Sequence, residues 1–137
     1  MFKMVKTLTT WWPVKVYEPN PEKPGTFSEF AFEIEFEIID RDEVKTFDDE
    51  RSAIFAEAAA DTGPDKLRTT QEKLDALQLR EFQRVTRNWR GVIGADDNVF
   101  PFTNENLLVA LKRDHIREGI NEAYKQAIAT GKARLGN

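Results

Sequence analysis

The residue types that most often carry chemistry are sparse and scattered in this sequence. His115 is the only histidine, and it sits beside Asp114 at the start of an expected helix. A surface or capping role accounts for it there. Ser28 and Ser52 lie outside any nucleophile-elbow sequence. Cysteine is absent, which removes a thiolate nucleophile, disulfides and cysteine-ligated metals. The glycines stand singly, so no phosphate-cradling loop is expected. Nothing gathers a nucleophile, a base and an oxyanion site. The expectation is a protein that is not an enzyme, with no cofactor and no metal.

The carboxylates are the next candidates. Glu33, Glu35 and Glu37 alternate along one stretch, which spaces them by about 7 Å on one face of a strand. Carboxylates suit calcium or magnesium, but a flat row cannot wrap a cation as a 12-residue loop does. Asp96-Asp97-Asn98 is oxygen-rich yet short, and a turn explains it. Both read as solvated acidic surface, with Lys15 available to pair with one of the strand glutamates. The aromatics remain: Trp11-Trp12, Trp89, Phe100 and Phe102. Trp12, Trp89 and Phe102 are assigned to the core. Trp11 points opposite to Trp12 in a strand, so it is exposed, or covered by a helix or a partner. An exposed tryptophan makes a good interface anchor.

These residues need a scaffold, and the periodicities supply one. Trp12, Val14 and Val16 alternate with Trp11, Pro13, Lys15 and Tyr17, which predicts a strand with Pro13 near its start or on an edge. Three prolines and a glycine within Pro19–Gly25 force a loop. Phe30, Phe32, Ile34, Phe36 and Ile38 then alternate with the glutamates, placing five large apolar side chains on one strand face. The two strands are expected to pair antiparallel. Beyond them the reading is helical. Asp48-Asp49-Glu50 begins a helix running through Ala53–Ala60, stopped by Thr62-Gly63-Pro64. Asp65 caps a long helix to about Trp89, with a stripe of Leu67, Leu74, Leu77, Phe82, Val85 and Trp89 and with Gly91 beyond it. A turn over Gly94–Asn98 leads to a short helix capped by Thr103 or Asn104 and carrying Leu107, Leu108 and Leu111. Asp114 caps the last helix, striped by Ile116, Ile120, Ala123, Tyr124, Ala127 and Ile128 and ending at Gly131.

The expected fold is therefore α+β: an N-terminal antiparallel β-hairpin or small sheet packed against a C-terminal bundle of about four helices. One domain of 137 residues is expected, with a hairpin region over 1–40, a helical region over 41–131 and a flexible tail over 132–137. The first residues, Met1 to Trp12, show neither a signal peptide nor a membrane span, so the chain is expected to stay where it is made. Net charge is -4, unevenly spread. Glu18 to Asp65 holds fifteen acidic and four basic side chains, while both flanks are net positive. Such polarity favours association of copies with one another or with a polarised partner. It argues against nucleic acid as the main partner, although the basic residues between Arg80 and Arg90 leave a minor role open.

The order of motifs in the second half is similar to that of a known family. Trp89-Arg90-Gly91-Val92 follows a long helix, and an acidic turn comes next. Phe100-Pro101-Phe102-Thr103-Asn104-Glu105-Asn106-Leu107-Leu108 then supplies a "PF" before a capped helix with paired leucines, and Glu122-Ala123-Tyr124 lies in the final helix. With Trp12-Pro13-Val14 and the alternating Phe30–Phe36 stretch, this resembles the tail assembly chaperones of long-tailed bacteriophages over most of the chain apart from Asp40–Thr70.

The resemblance implies a protein that coats the tape-measure protein before the tail tube polymerises around it. It would be found in the host bacterial cytoplasm and be absent from the mature virion. It also implies a possible longer frameshifted form that recruits the major tail (tube) protein, the present chain being the short form. Partners would be the tape-measure protein and further copies in a head-to-tail homo-oligomer, with no nucleic acid and no membrane. The expected contact residues, which no binding motif of the family places, are Trp11, Phe100 and Tyr124 as apolar anchors, with the core as the favoured alternative for Tyr124. Arg84, Arg87 and Arg90 would face acidic residues of a neighbouring copy. The alternative is a small structural tail or head-tail connector protein retained in the virion.

Overall fold

The computed structural model describes residues 1–129; the tail expected over 132–137 and the helix stop expected at Gly131 lie outside the described residues. In chain order the elements are β1 (Thr9–Pro19), β2 (Phe27–Glu37), α1 (Arg41–Ala60), α2 (Lys66–Val85), β3 (Thr86–Arg90), α3 (Asn104–Leu111) and α4 (Asp114–Ile128). The fold is α+β, with a three-stranded antiparallel sheet in the order β1-β2-β3 and four helices. The chain divides into two compact units. A sheet unit joins Met1–Ile38 to the chain from Thr86 onward, and a helical unit is Ile39–Val85.

In the sheet unit, strict alternation decides which side chains share a face. Register pairs Trp12 with Ile34, Val14 with Phe32 and Val16 with Phe30, so the apolar members of both strands lie on one face. The hairpin between them closes through Asn20 N–H donating to the Thr26 carbonyl at 2.9 Å. Gly25 takes φ +84° in that turn, a backbone region that costs a residue with a Cβ. The apolar face is covered by α4, whose buried residues Ile120, Ala123, Tyr124 and Ala127 recur at helical spacing. Gly119 lets the helix come close: a Cβ there would sit 2.5 Å from the Lys15 carbonyl oxygen. Tyr124 packs edge-on to Phe36 at 5.1 Å, and Leu107 and Leu111 of α3 are buried in full. The Thr103 side chain caps α3 by accepting from Asn106 N–H at 3.0 Å.

Two helix boundaries differ from expectation. Helix α1 begins at Arg41, seven residues before Asp48, because Asp40 caps it by accepting from Glu43 N–H at 2.9 Å. The acidic Asp42 and Glu43 then favour the first turn. The long helix ends at Val85, and the segment expected to complete it, Thr86–Arg90, is instead strand β3. Pairing decided this. The edge of β2 facing away from β1 needs partners for its backbone groups, and β3 supplies them from Glu33↔Arg90 to Phe36↔Thr86, with an irregularity between Glu35 and Phe36. Trp89, opposite Ile34, stays buried in the strand as it would have in the helix. One polar cost remains, since the Thr86 hydroxyl is buried without a hydrogen-bond partner.

The helical unit is an antiparallel pair. Helix α1 contributes no buried residue; its half-buried positions, Glu43, Phe47, Glu50, Arg51, Ile54 and Ala58, follow one face. Four ion pairs run along the two helices: Glu57–Lys73 at 2.6 Å, Arg51–Glu81 at 3.1 Å, Glu50–Arg80 at 2.7 Å and Glu43–Arg84 at 2.7 Å. Leu67, expected on the apolar stripe of α2, is 84% exposed, so the stripe begins further along at half-buried Leu74 and buried Leu77.

Candidate interaction surface

The six expected contact residues occupy different environments. Trp11 lies on the charged face of the sheet, half-buried, with the Arg90 guanidinium stacked 4.1 Å above its ring. Arg90 also grips Glu33 through two hydrogen bonds of 3.0 and 3.3 Å. This bond holds the Glu33 carboxyl below its ordinary range and raises the guanidinium. The tryptophan is thus covered from within the chain, by a cation–π contact rather than a helix. Arg87 reaches Glu37 at 3.3 Å. Lys15, which was expected to pair with a strand glutamate, stands opposite Ala31, and β3 supplies the cations instead. Arg84 belongs to the helical unit, where it holds Glu43 with bonds of 2.7 and 2.8 Å. The charge polarity seen in the sequence is spent largely inside the chain: acidic residues of the first half meet basic residues of the second in pair after pair.

Phe100 is half-buried and stacks on Trp89 at 6.0 Å, and its carbonyl accepts from the Trp89 indole N–H at 2.8 Å. Phe32 and Phe102 meet Trp89 edge-on at 6.3 and 5.2 Å. Tyr124 is buried and belongs to the core; it offers no exposed apolar surface. Of the six, Trp11, Arg87, Arg90, Phe100 and Tyr124 belong to the sheet unit, and only Phe100 combines partial exposure with a place on its apolar face.

The apolar face of the sheet is wider than the helix that covers it. Helix α4 lies along β1, from His115 beside Glu18 to Gln126 beside Trp12, and Val14 and Val16 beneath it are buried. The register shows the consequence. Phe36 and Ile34 are buried, Phe32 is half-buried, and Phe30, on the face expected to be covered by the core or a partner, is 54% exposed at the hairpin's far end. Phe27 and Tyr17 are also more than half exposed there, on the other face, with the Tyr17 hydroxyl donating to Glu29 at 2.9 Å and its own ionisation pushed up by that bond. Beyond Trp89, the turn carrying Gly94–Asn98 is closed by Gly94 N–H to the Asn98 carbonyl at 2.8 Å, and it leaves Ile93 and Val99 exposed beside Phe100.

Comparison with known protein families, with characterised proteins and with solved structures finds no match to this chain.

Alternation assigns a residue to a face of the sheet but not to the strand along which a covering helix lies, so the exposure of Phe30 on β2 is not legible from it. His115 sits in the first turn of α4, with Nε2 2.9 Å from a Glu18 carboxylate oxygen, and so links the helix start to the far end of β1. The Asp96 carboxylate accepts from the side chain and backbone of Asn98, which lowers its ionisation below the ordinary range and closes the turn. Among the described residues no group of three or more potential ligands is placed to hold a metal ion, and no helix is long and apolar enough to cross a membrane. What the arrangement offers chemically is apolar contact area: an aromatic strip of Phe30, Phe32 and Phe100, the last two joined through Trp89.

Proposed function

We propose that this protein is a bacteriophage tail assembly chaperone that binds and solubilises the tape-measure protein and promotes assembly of the tail tube around it. The observation that carries the reading is the uncovered aromatic strip, Phe30 with half-buried Phe32 and Phe100, at the end of an otherwise covered sheet face. A long, apolar helical rod needs partners that shield it with modest contacts repeated many times and then leave. Weak sites made effective by multivalency suit that task. The identity of the partner rests on the motif resemblance. In support, the motif residues Trp89, Phe100, Phe102, Leu107 and Tyr124, separated in sequence, all belong to the sheet unit, where they build its aromatic cluster and core.

The protein would act in the host bacterial cytoplasm, on the tape-measure protein and beside further copies of itself, and would be missing from finished particles. Co-expression with the tape-measure protein of the same genome tests this. The wild-type chain should move the tape-measure protein into the soluble fraction, and Phe30→Ser should reduce that transfer while leaving the melting temperature nearly unchanged. Failure of the wild type to raise its solubility counts against the reading. Detection of the protein in purified particles by mass spectrometry would instead favour a structural tail or head-tail connector component.

A further inference from the structure

Beside the sheet unit's edge strand lies a groove of about 780 Å³ whose two walls differ in chemistry. The sheet wall presents Pro13, Tyr17 and Phe27, with Lys15 among them; the helix wall presents Glu118 and Glu122, one turn apart on α4. An occupant that fills it needs apolar side chains on one side and cations on the other. The chain carries such a segment. In the residues before β1, Phe2 and Met4 are 88% and 86% exposed, Val5 and Leu8 are more than half exposed, and Lys3 and Lys6 stand among them. In extended conformation Phe2 and Met4 project to one side and Lys3 to the other over residues 2–4, while Lys6 follows Met4 and Val5 follows Lys3.

The same copy's arm can reach the Pro13 end of the groove but cannot fill its Tyr17 and Phe27 end. The Ile38 N–H donates to the Leu8 carbonyl at 2.8 Å, which roots the segment at the opposite end of the hairpin from Tyr17 and Phe27. From Leu8 to Tyr17 is roughly 30 Å along β1, while Phe2 reaches at most about 21 Å from Leu8. We infer that the arm of residues 2–7 docks in the β1–α4 groove of a second copy. Arm and groove are different surfaces, so the contact is heterologous, and unless its rotation closes a ring it adds copies without limit. This deepens the self-association part of the proposed function by naming its surfaces, and it replaces the paired arginines as the means of contact.

Sedimentation velocity over a concentration series tests the inference. Wild type should show species that grow with concentration and shrink at high salt, where the Lys–Glu attraction is screened. Phe2→Ser with Met4→Ser should sediment as a monomer, as should Glu118→Lys with Glu122→Lys. All these side chains except the two on α4 lie outside any helix or strand, so the arm variant keeps the test clear of folding defects, and the melting temperature checks the groove variant. Mixing the two variants should give a 1:1 dimer and nothing larger, because one intact arm meets one intact groove. A wild type that is monomeric throughout, or an arm variant that still assembles, overturns the inference. Co-expression with the tape-measure protein is scored separately: a chain that solubilises it without self-assembling refutes the arm-in-groove contact and leaves the proposed function standing.

Discussion

The two units of this chain are held together by different physics. The sheet unit buries aromatic and aliphatic side chains against one face of three strands, and a glycine permits a helix to touch the backbone of the edge strand. The helical unit joins two helices of twenty residues by ion pairs over a thin seam, and one of those helices buries nothing. Apolar burial is worth about 25 cal/mol per Å², whereas an ion pair at the surface contributes about 0.2–1 kcal/mol and weakens with salt. The first arrangement resists change and can carry a fixed binding strip; the second is the one that solution conditions should move.

The sharpest way to separate them is to damage each in turn. Phe36→Ala empties the centre of the sheet unit and should cost about 3–5 kcal/mol by denaturant unfolding. Protection of β2 amides from hydrogen exchange should fall the most, and an equal loss along α1 would erase the distinction. Gly119→Ala should cost about 1–3 kcal/mol through the clash with the Lys15 carbonyl, only partly offset by the better helix propensity of alanine. Stabilisation by that variant would mean that α4 sits further from β1. Arg84→Ala removes one bidentate pair and should cost about 1 kcal/mol or less. Raising salt to about 1 M, where the screening length falls to about 3 Å, should speed exchange in α1 more than in β2.

The smallest effect concerns Glu81. Burial outweighs its attraction to Arg51 and raises its ionisation above the ordinary 4.5. A carboxyl raised on folding opposes stability at pH values above that raised value, and the penalty fades as pH falls through it. Glu81→Gln should therefore be neutral to slightly stabilising at pH 7 relative to wild type. The difference should shrink in acid, as read from melting temperatures across pH. A loss of stability at pH 7 would show that the Arg51 bond outweighs the cost of burial.

Much of the scaffold was legible in the sequence, and for local reasons. The period-two run of Phe30–Phe36, the Pro-rich loop and the Thr103 cap each express a rule that acts within a few residues, and each element formed where expected. Strand β3 was illegible because its decisive partner, the open edge of β2, lies some fifty residues away, while Val85 and Trp89 fit a helical stripe equally well. The start of α1 was legible in principle, since Asp40 with Glu43 three residues on is a capping pattern, although the acidic run at Asp48–Glu50 is an equally good helix-start signal. Tyr124 and Arg84 were placed among contact residues by type alone, and the fold uses one for the core and the other for an internal ion pair. The fate of Trp11 depended on Arg90, a cross-sheet neighbour that only the register of β3 reveals.

The central claim is that the sheet unit, through its aromatic strip, receives the apolar partner. Hydrogen-exchange mass spectrometry of the protein alone and bound to the tape-measure protein tests it most directly. New protection should appear over residues 27–32 and 99–102 with little change along α1. Protection confined to α1 and α2, or none in a complex that demonstrably forms, would contradict it.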